Sequence, residues 1–356
     1  SPQIETKTKG AFGWNEAIKS EYSSAMNFVP NKKTASELRG IGFGTVSTHR
    51  KDGISRGTAA LVTLGNGSEN VELIKNETAA HSSFSKGSSK QTYPSSLMGI
   101  IALLRQTHYD AKYYQENRAD LATDHTLEAF HKNLEHPQII DANDRLNIVR
   151  ADKIGDEFGY QFIFKGKGDE YQRVEEIQKT GGAVIVPLNF PKPYDVADPY
   201  SARMVTISQM KHWELAPSNP KLLSDAGIEY AFTVEGIKKK AEFLKNIRTA
   251  MSRGLTEEQA LAALTTIPAK LVGADHLIGS LSEGKLANFI VTSGPVFGAK
   301  TVIYQNWIQG DQYVIAPMDV VDVRGTYKLK VNDSDRTLKV AGQLTKPKAT
   351  IEYKMV

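Results

Sequence analysis

The sequence predicts an α/β protein built on a parallel sheet, followed by a smaller antiparallel β unit. Three observations carry this. From Gln138 to Arg253, β-branched and aromatic runs alternate with helical patterns, and strands joined through helices pair in parallel by right-handed crossovers. After Gly273 the segments become short strands without intervening helices. The chain has 356 residues, which at roughly 150 residues per domain allows either two domains or one large barrel.

The elements follow in order. Thr34 to Arg39 reads as the end of a helix stopped by Gly40, and Ile41 to Thr48 as a strand. Arg56 to Leu64 and Val71 to Ile74 flank Gly65-Asn66-Gly67-Ser68, whose Asn and Gly accept positive φ, so a β-hairpin is expected. His81 to Tyr93 is rich in Ser, Gly and Lys and ends at Pro94, the composition of a long exposed loop. Ser95 and Ser96 can cap a helix that carries Leu97, Ile100, Ile101, Leu104 and His108 at three-to-four spacing, which places His108 on an apolar face as a core residue. Strands are expected at 138–141, 160–164, 183–188 and 227–233, and helices at 144–158, 171–179, 221–225 and 237–253. Between 189 and 220 the prolines 191, 193, 199, 217 and 220 punctuate a polar stretch. Thr256-Glu257-Glu258-Gln259 is a capping signature that opens another helix. Short strands are expected at 288–291, 301–304, 307–309 and 312–315. Alternating segments at 327–331, 337–340 and 350–353, around Asn332-Asp333-Ser334-Asp335, read as hairpin material of a further module.

Composition narrows the function classes. With 40% hydrophobic and 24% charged residues the chain is an ordinary globular protein that can bury a sizeable core. The net charge of +4 comes from 44 basic and 40 acidic residues scattered without a stripe, which predicts no nucleic-acid partner. The absence of cysteine removes disulfides, thiolate nucleophiles and cysteine-held zinc or iron–sulfur centres. No run reaches the roughly 18 apolar residues of a membrane span, and Ser1 to Lys7 has no apolar signal segment, so a soluble periplasmic or cytoplasmic chain is expected. The start without methionine fits a processed product or an excised piece of something longer. A Gly-x-Ser-x-Gly elbow does not occur, and Gly166-Lys167-Gly168 is too short for a phosphate loop.

The most informative stretch runs Leu255-Thr256-Glu257-Glu258-Gln259-Ala260-Leu261, through Thr265-Thr266-Ile267-Pro268-Ala269-Lys270-Leu271-Val272-Gly273, to Ile278-Gly279-Ser280-Leu281-Ser282-Glu283-Gly284-Lys285-Leu286-Ala287-Asn288-Phe289-Ile290-Val291. Physically it is a helix stopped by Pro268, a short second helix stopped by Gly273, and a turn that feeds a strand. Its residue order resembles the C-terminal signature of the amidohydrolase superfamily, the imidazolonepropionase-like cyclic amide hydrolases in particular. Weaker similarity runs through Trp213 to Pro217, Ala226 to Phe232, and Glu37 to Val46, so the resemblance spans most of residues 30 to 315.

What the resemblance implies is a distorted TIM-type (β/α)₈ barrel over residues 1–283 without its first strand, a small β-sandwich-like unit at 284–317, and a C-terminal β segment at 318–356. The active site would lie at the carboxyl ends of the barrel strands. Zinc or another divalent metal would activate water there against a carbon–nitrogen bond of a cyclic amide or peptide-like small molecule. The family holds its metals with a His-x-His on the first strand, a Lys or Glu on the fourth, a His on each of the fifth and sixth, and an Asp on the eighth. This chain has no His-x-His. Asp141 stands where the fifth-strand His would be, Lys165 at the sixth strand and Glu235 at the eighth. The resemblance therefore makes Asp141 and Glu235 the catalytic and metal-ligating candidates, while the Lys165 ammonium would repel a metal. The competing reading has Asp141 and Glu235 capping the helices that follow them.

Among the histidines, His49 directly after a strand and His81 in the Ser/Gly-rich loop could reach a barrel mouth, so His49, His81 and Lys165 are the binding candidates. Exposed loop histidines are the plainer expectation for His49 and His81. Two functions remain open at this point: a metal-dependent hydrolase, and a non-catalytic amidohydrolase-like module for binding or assembly. Its partner would be the rest of a longer parent chain or a second copy in a homo-oligomer. A carbohydrate- or peptide-binding barrel would rest only on Tyr93, Tyr113, Tyr114 and Trp213.

Overall fold

The computed structural model describes residues 10–319, 321–331, 334–343 and 346–352. The expectations that touch Ser1 to Lys7, Asn332, Asp333 and Tyr353 lie outside the described residues. In chain order the strands are β1 (Thr45–Thr48), β2 (Ser55–Thr58), β3 (Ala60–Thr63), β4 (Leu73–Lys75), β5 (Ala80–Ser83), β6 (Gln138–Asp141), β7 (Phe162–Lys165), β8 (Val184–Pro187), β9 (Tyr230–Thr233), β10 (Phe289–Thr292), β11 (Ile303–Ile308), β12 (Asp311–Val314), β13 (Gly325–Val331), β14 (Ser334–Gln343) and β15 (Lys346–Glu352).

The central sheet runs β2-β5-β6-β7-β8-β9. From β5 to β9 every pairing is parallel, with Ser83, Asp141 and Lys165 abreast at the carboxyl ends. β2 pairs antiparallel with β5. Helices Leu97–Glu116, Arg145–Phe158, Glu242–Met251 and Glu257–Leu264 pack on the outside.

The period-two alternation of strands sorts the two faces. Ile140, Phe162, Phe164, Val184, Val186, Tyr230 and Phe232 join the large core beneath the helices. Ala79, Ile139, Ile163, Ala183 and Ile185 form a smaller cluster on the inner face, with Leu271. Asp141 and Lys165 share the parity of Ile139 and Ile163. The floor under the rim is thus apolar, and the rim itself is charged.

The expected strand 56–64 is in fact two strands in two sheets. At Gly57 φ is +71, and a Cβ there would collide with the carbonyl oxygen of Tyr22. Gly57 lies within β2, where the pairing with β5 shifts register between Ser55 and Thr58; the chain leaves the central sheet only after Thr58, and β3 pairs between β1 and β4. The pairing of β3 with β4 bears out the expected hairpin, although Glu69–Glu72 forms a helical turn inside the connection.

Two helical expectations shift. Residues 237–253 begin their helix only at Glu242, because Lys238, Lys239 and Lys240 would crowd positive charge against the positive end of a helix dipole. The stretch 189–220 is partly helical: Asp198 caps Pro199–Met204, and Thr206 with Gln209 forms a capping box on Ile207–Leu215.

The short strands 301–304 and 307–309 merge into β11, at the centre of the antiparallel sheet β10-β11-β12. This sheet does not stand by itself. Asn288 Nδ2 donates to Thr45 Oγ1 (3.0 Å), Asn306 Nδ2 to the Phe43 carbonyl (2.9 Å) and Gln309 Nε2 to Thr63 Oγ1 (2.7 Å). The sheet β1-β3-β4 and the sheet β10-β11-β12 therefore make one joint β unit drawn from both ends of the chain. β13, β14 and β15 form a third antiparallel sheet.

Candidate functional site

All five candidate residues converge on one rim, and each is brought there by a backbone reason. Asp141 and Lys165 are the last residues of neighbouring parallel strands, directly opposite in register. Glu235 follows β9 by two residues, and its N–H donates to Thr233 Oγ1 (3.2 Å). His81 lies on β5 opposite Ile139, two residues below the rim. His49 follows β1 and lays its ring on that of His81, with centroids 3.9 Å apart and planes 9° from parallel.

Lys165 is the centre of the arrangement. Its Nζ donates to Glu235 Oε2 at 2.6 Å and to Asp141 Oδ2 at 3.2 Å. Two further cations back the carboxylates: Arg56 Nη1 lies 3.5 Å from Asp141 Oδ2, and Lys51 Nζ 3.6 Å from Glu235 Oε1. The Arg56 side chain is only 6% exposed and its Nε donates to the Gly53 carbonyl at 2.9 Å. A buried guanidinium this close to a carboxylate is tolerated because it is paired and hydrogen-bonded.

The electrostatics follow. Burial lowers the His49 imidazole to about 4, helped by the charges of Lys165 and Arg56. Burial also holds His81 well below the ordinary imidazole range, with His49, Arg56 and Lys165 adding to it. Both rings are neutral at pH 7. Burial pushes the Glu235 carboxyl up, but the hydrogen bond and charge of Lys165 and the charge of Lys51 outweigh it, leaving Glu235 below its ordinary value. His81 Nε2 is buried without a hydrogen-bond partner.

Several expectations are corrected here. His81 is not a loop residue but a buried strand residue, and His49 is half-buried against it. Neither carboxylate caps a helix: Asp144 caps Arg145–Phe158, accepting from the N–H groups of Leu146 and Asn147, and the helix after Glu235 starts at Glu242. The Gly166-Lys167-Gly168 turn spends its N–H groups inwardly, with Lys167 and Gly168 donating to the buried Glu170 carboxylate at 2.7 and 2.9 Å. Of the aromatics considered for ligand stacking, Tyr93 stacks on Trp14 and Tyr114 is buried. Arg56 and Lys51 were not among the residues the sequence singled out. An arginine inside the strand-like run Arg56-Gly57-Thr58 was the available signal, since a charge there must find a partner.

The donor set does not suit a divalent metal. An ammonium already sits in hydrogen-bonding contact with both carboxylates and would repel a second cation. The two imidazoles face each other in a stack and do not converge on a common point. Among the described residues no group of three or more His, Asp or Glu side chains could hold a metal ion.

Comparison with known proteins gives first the class. A crystal structure of an amidohydrolase from Thermotoga maritima MSB8 superposes with a TM-score of 0.69 at 20% identity, covering 87% of this chain and 83% of that one, and the fold is thus a distorted TIM-type barrel with added antiparallel sheets. Residues 122–316, more than half of the chain, match the model of the amidohydrolase family, so the chain belongs to the amidohydrolase family, a family of hydrolases. The A. niger ochratoxinase structure aligns over 50% of this chain and 42% of its own, at 18% identity and a TM-score of 0.35, and carries no weight. No curated protein matches the chain. Among the described residues no helix is long and apolar enough to cross a membrane.

Proposed function

We propose that this chain is a metal-independent member of its family, in which the barrel serves as a binding or assembly module of a larger protein. One observation carries the proposal: the Lys165 ammonium holds Asp141 and Glu235 together at 3.2 and 2.6 Å, the two carboxylates that would otherwise be free for a metal. Lys165 takes over the electrostatic task of a bound cation. It neutralises the inward carboxylates and ties the ends of β6 and β7 to the segment after β9. Arg56 and Lys51 complete the compensation, so the rim is ordered by the chain's own charges.

The alternative is a hydrolase that attacks a carbon–nitrogen bond with metal-activated water, which the family membership favours and the donor set opposes. Zinc titration separates the two. The purified chain, dialysed against zinc and analysed by mass spectrometry for metal content, is expected to retain far less than one equivalent. One equivalent retained by the wild type and lost in Glu235→Ala would overturn the proposal and return the chain to the metal-dependent hydrolases.

A further inference from the structure

The connection between β8 and β9 carries an arm that the rest of the chain leaves uncovered. Leu188 is buried at its start and Ala216 and Pro217 at its end, so its base is fixed. Between them, the helices Pro199–Met204 and Ile207–Leu215 contain no buried residue. Tyr200, Met204 and Ile207 are 78%, 81% and 74% exposed, and Val196, Met210 and Trp213 are exposed with them. Single apolar side chains on a surface are ordinary, whereas a cluster of large ones marks a contact.

The spacing sets them in rows. Tyr200 and Met204 are four apart on the first helix, and Ile207, Met210 and Trp213 three apart on the second, so each helix has an apolar side. Both helices are well started: Asp198 accepts from the Ser201 N–H at 2.9 Å, and Thr206 and Gln209 close a capping box. Caps do not sustain helices of six and nine residues, because below roughly 12 residues a helix in water depends on packing its apolar face. Within the chain, Tyr171 stacks on His212 with ring centroids 6.0 Å apart and shares a 3.1 Å hydrogen bond with its Nδ1, which holds the second helix through a polar residue. The apolar rows are left for another surface.

Area, charge and anchoring select what that surface is. A large side chain buries on the order of 150–250 Å² when aromatic, so the six residues present several hundred Å², comparable with the roughly 800 Å² that each partner of a stable dimer buries. Lys192, Arg203 and Lys211 are balanced by Asp195, Asp198 and Glu214, so the arm neither attracts an anionic surface nor repels an identical arm. Closure of the arm onto its own rim would break the Tyr171–His212 contact. We propose that the arm is a self-association surface, on which the apolar rows of one copy pack against those of a second about a two-fold axis. This gives the assembly reading above a definite partner and rests on that reading, not on the metal content of the rim.

Sedimentation equilibrium of the full chain between about 1 and about 100 µM should show a mass rising from one chain toward two. Met204→Glu and Ile207→Lys, at positions whose side chains the fold of one chain does not bury, should each weaken association about tenfold or more. Met26→Glu, at a residue 88% exposed outside the arm, should leave the mass curve unchanged. Circular dichroism verifies that the variants fold. Acrylamide quenching of Trp213, read as the difference between wild type and Trp213→Phe, should fall as the chain dimerises. A mass that stays at one chain at the highest concentration, a dimer that both arm variants leave intact, or protection of Trp213 without a change of mass, the result of closure on the rim, would each overturn the assignment. Co-sedimentation of single chains with phosphatidylcholine vesicles would give the surface to lipid and overturn it as well. Zinc content is measured on the same samples, so a dimer that retains zinc sinks the metal-free reading alone, and a zinc-free monomer sinks the arm alone.

Discussion

Two buried histidine assemblies in this molecule look alike by burial and differ in company. At the rim, His49 and His81 stack face to face beside Lys165 and Arg56. Under the helices, His108 stacks on Phe158 at 4.0 Å, meets the edge of Phe130 and shares a 2.9 Å hydrogen bond with Tyr160. Burial brings His108 to about 4, the same direction and depth as His49. Desolvation by itself therefore marks neither as functional. What distinguishes the rim is that ionised groups of both signs surround the imidazoles and that an apolar groove of about 350 Å³, lined by Val46, Val62 and His49, opens beside them, whereas His108 is enclosed by rings and fully serves the core. A perturbed imidazole becomes a site candidate through its charged neighbours and its access, and the pair of assemblies separates those two contributions.

The largest expected effect breaks the rim side. Lys165→Met leaves Asp141 and Glu235 facing each other without their shared cation, and should cost about 3–5 kcal/mol at pH 7, the usual price of removing one partner of a buried ion pair. Urea unfolding at pH 7 and at pH 4.5 checks it, because Glu235, no longer held below its ordinary value by the lysine, should take up a proton at the lower pH and recover part of the loss. A loss that does not depend on pH would mean that the lysine acts through packing alone.

Next in size is the core side. Tyr160→Phe removes the hydrogen bond to His108 while leaving the ring in place, and should cost about 1–2 kcal/mol by equilibrium unfolding. An unchanged or raised stability would show that the His108 nitrogen finds another partner.

The pH dependence then sharpens the comparison, since both assemblies contribute to it with one sign. His49, His81 and His108 are held below the ordinary imidazole value, so the unfolded chain takes up protons that the folded chain refuses, and stability falls as pH drops from about 6.5 toward 4. The contribution of Glu235, lowered in the fold, is present above its ordinary carboxylate value and is lost only below that. Melting temperatures measured between pH 7.5 and 4 should show this slope, and His108→Gln and His49→Gln should each flatten it. A slope that His108→Gln removes entirely would leave the rim histidines without a part in it.

The smallest effect is at the surface. The exposed Arg105, bidentate to Glu157 at 2.7 Å, lies on the same helix as His108, yet Arg105→Ala should leave the melting temperature nearly unchanged, because solvent screens the pair.

How much of this was legible in the sequence differs by residue. The strand–helix rhythm from 138 to 253 and the Thr256 capping box are local patterns, and they stand in the structure close to where the sequence places them. Asp141, Lys165 and Glu235 were legible as rim residues because each ends or follows a recognisable strand. His81 was misread as loop because Ala80–Ser83 is short and its following residues are Ser- and Gly-rich, so period-two burial had too few positions to register. Arg56 was missed because its partner, Asp141, lies 85 positions away (141 − 56) and nothing local to either residue announces the pair. The expectation of a separate small β unit at 284–317 missed its other half, since hydrogen bonds such as Asn306 to Phe43 join segments more than 250 residues apart.

By itself the sequence determined the element types, the order of strands and helices, the family, and the chemical identity of the side chains at the strand ends, because each of these is set by short-range propensity, periodicity or motif. Tertiary structure alone decided that a lysine would sit between two carboxylates, that two histidines distant in the chain would stack, and that a groove would open beside them. Those outcomes depend on which strands become neighbours and in what register, and a one-residue change of register would send the same side chains to the opposite face.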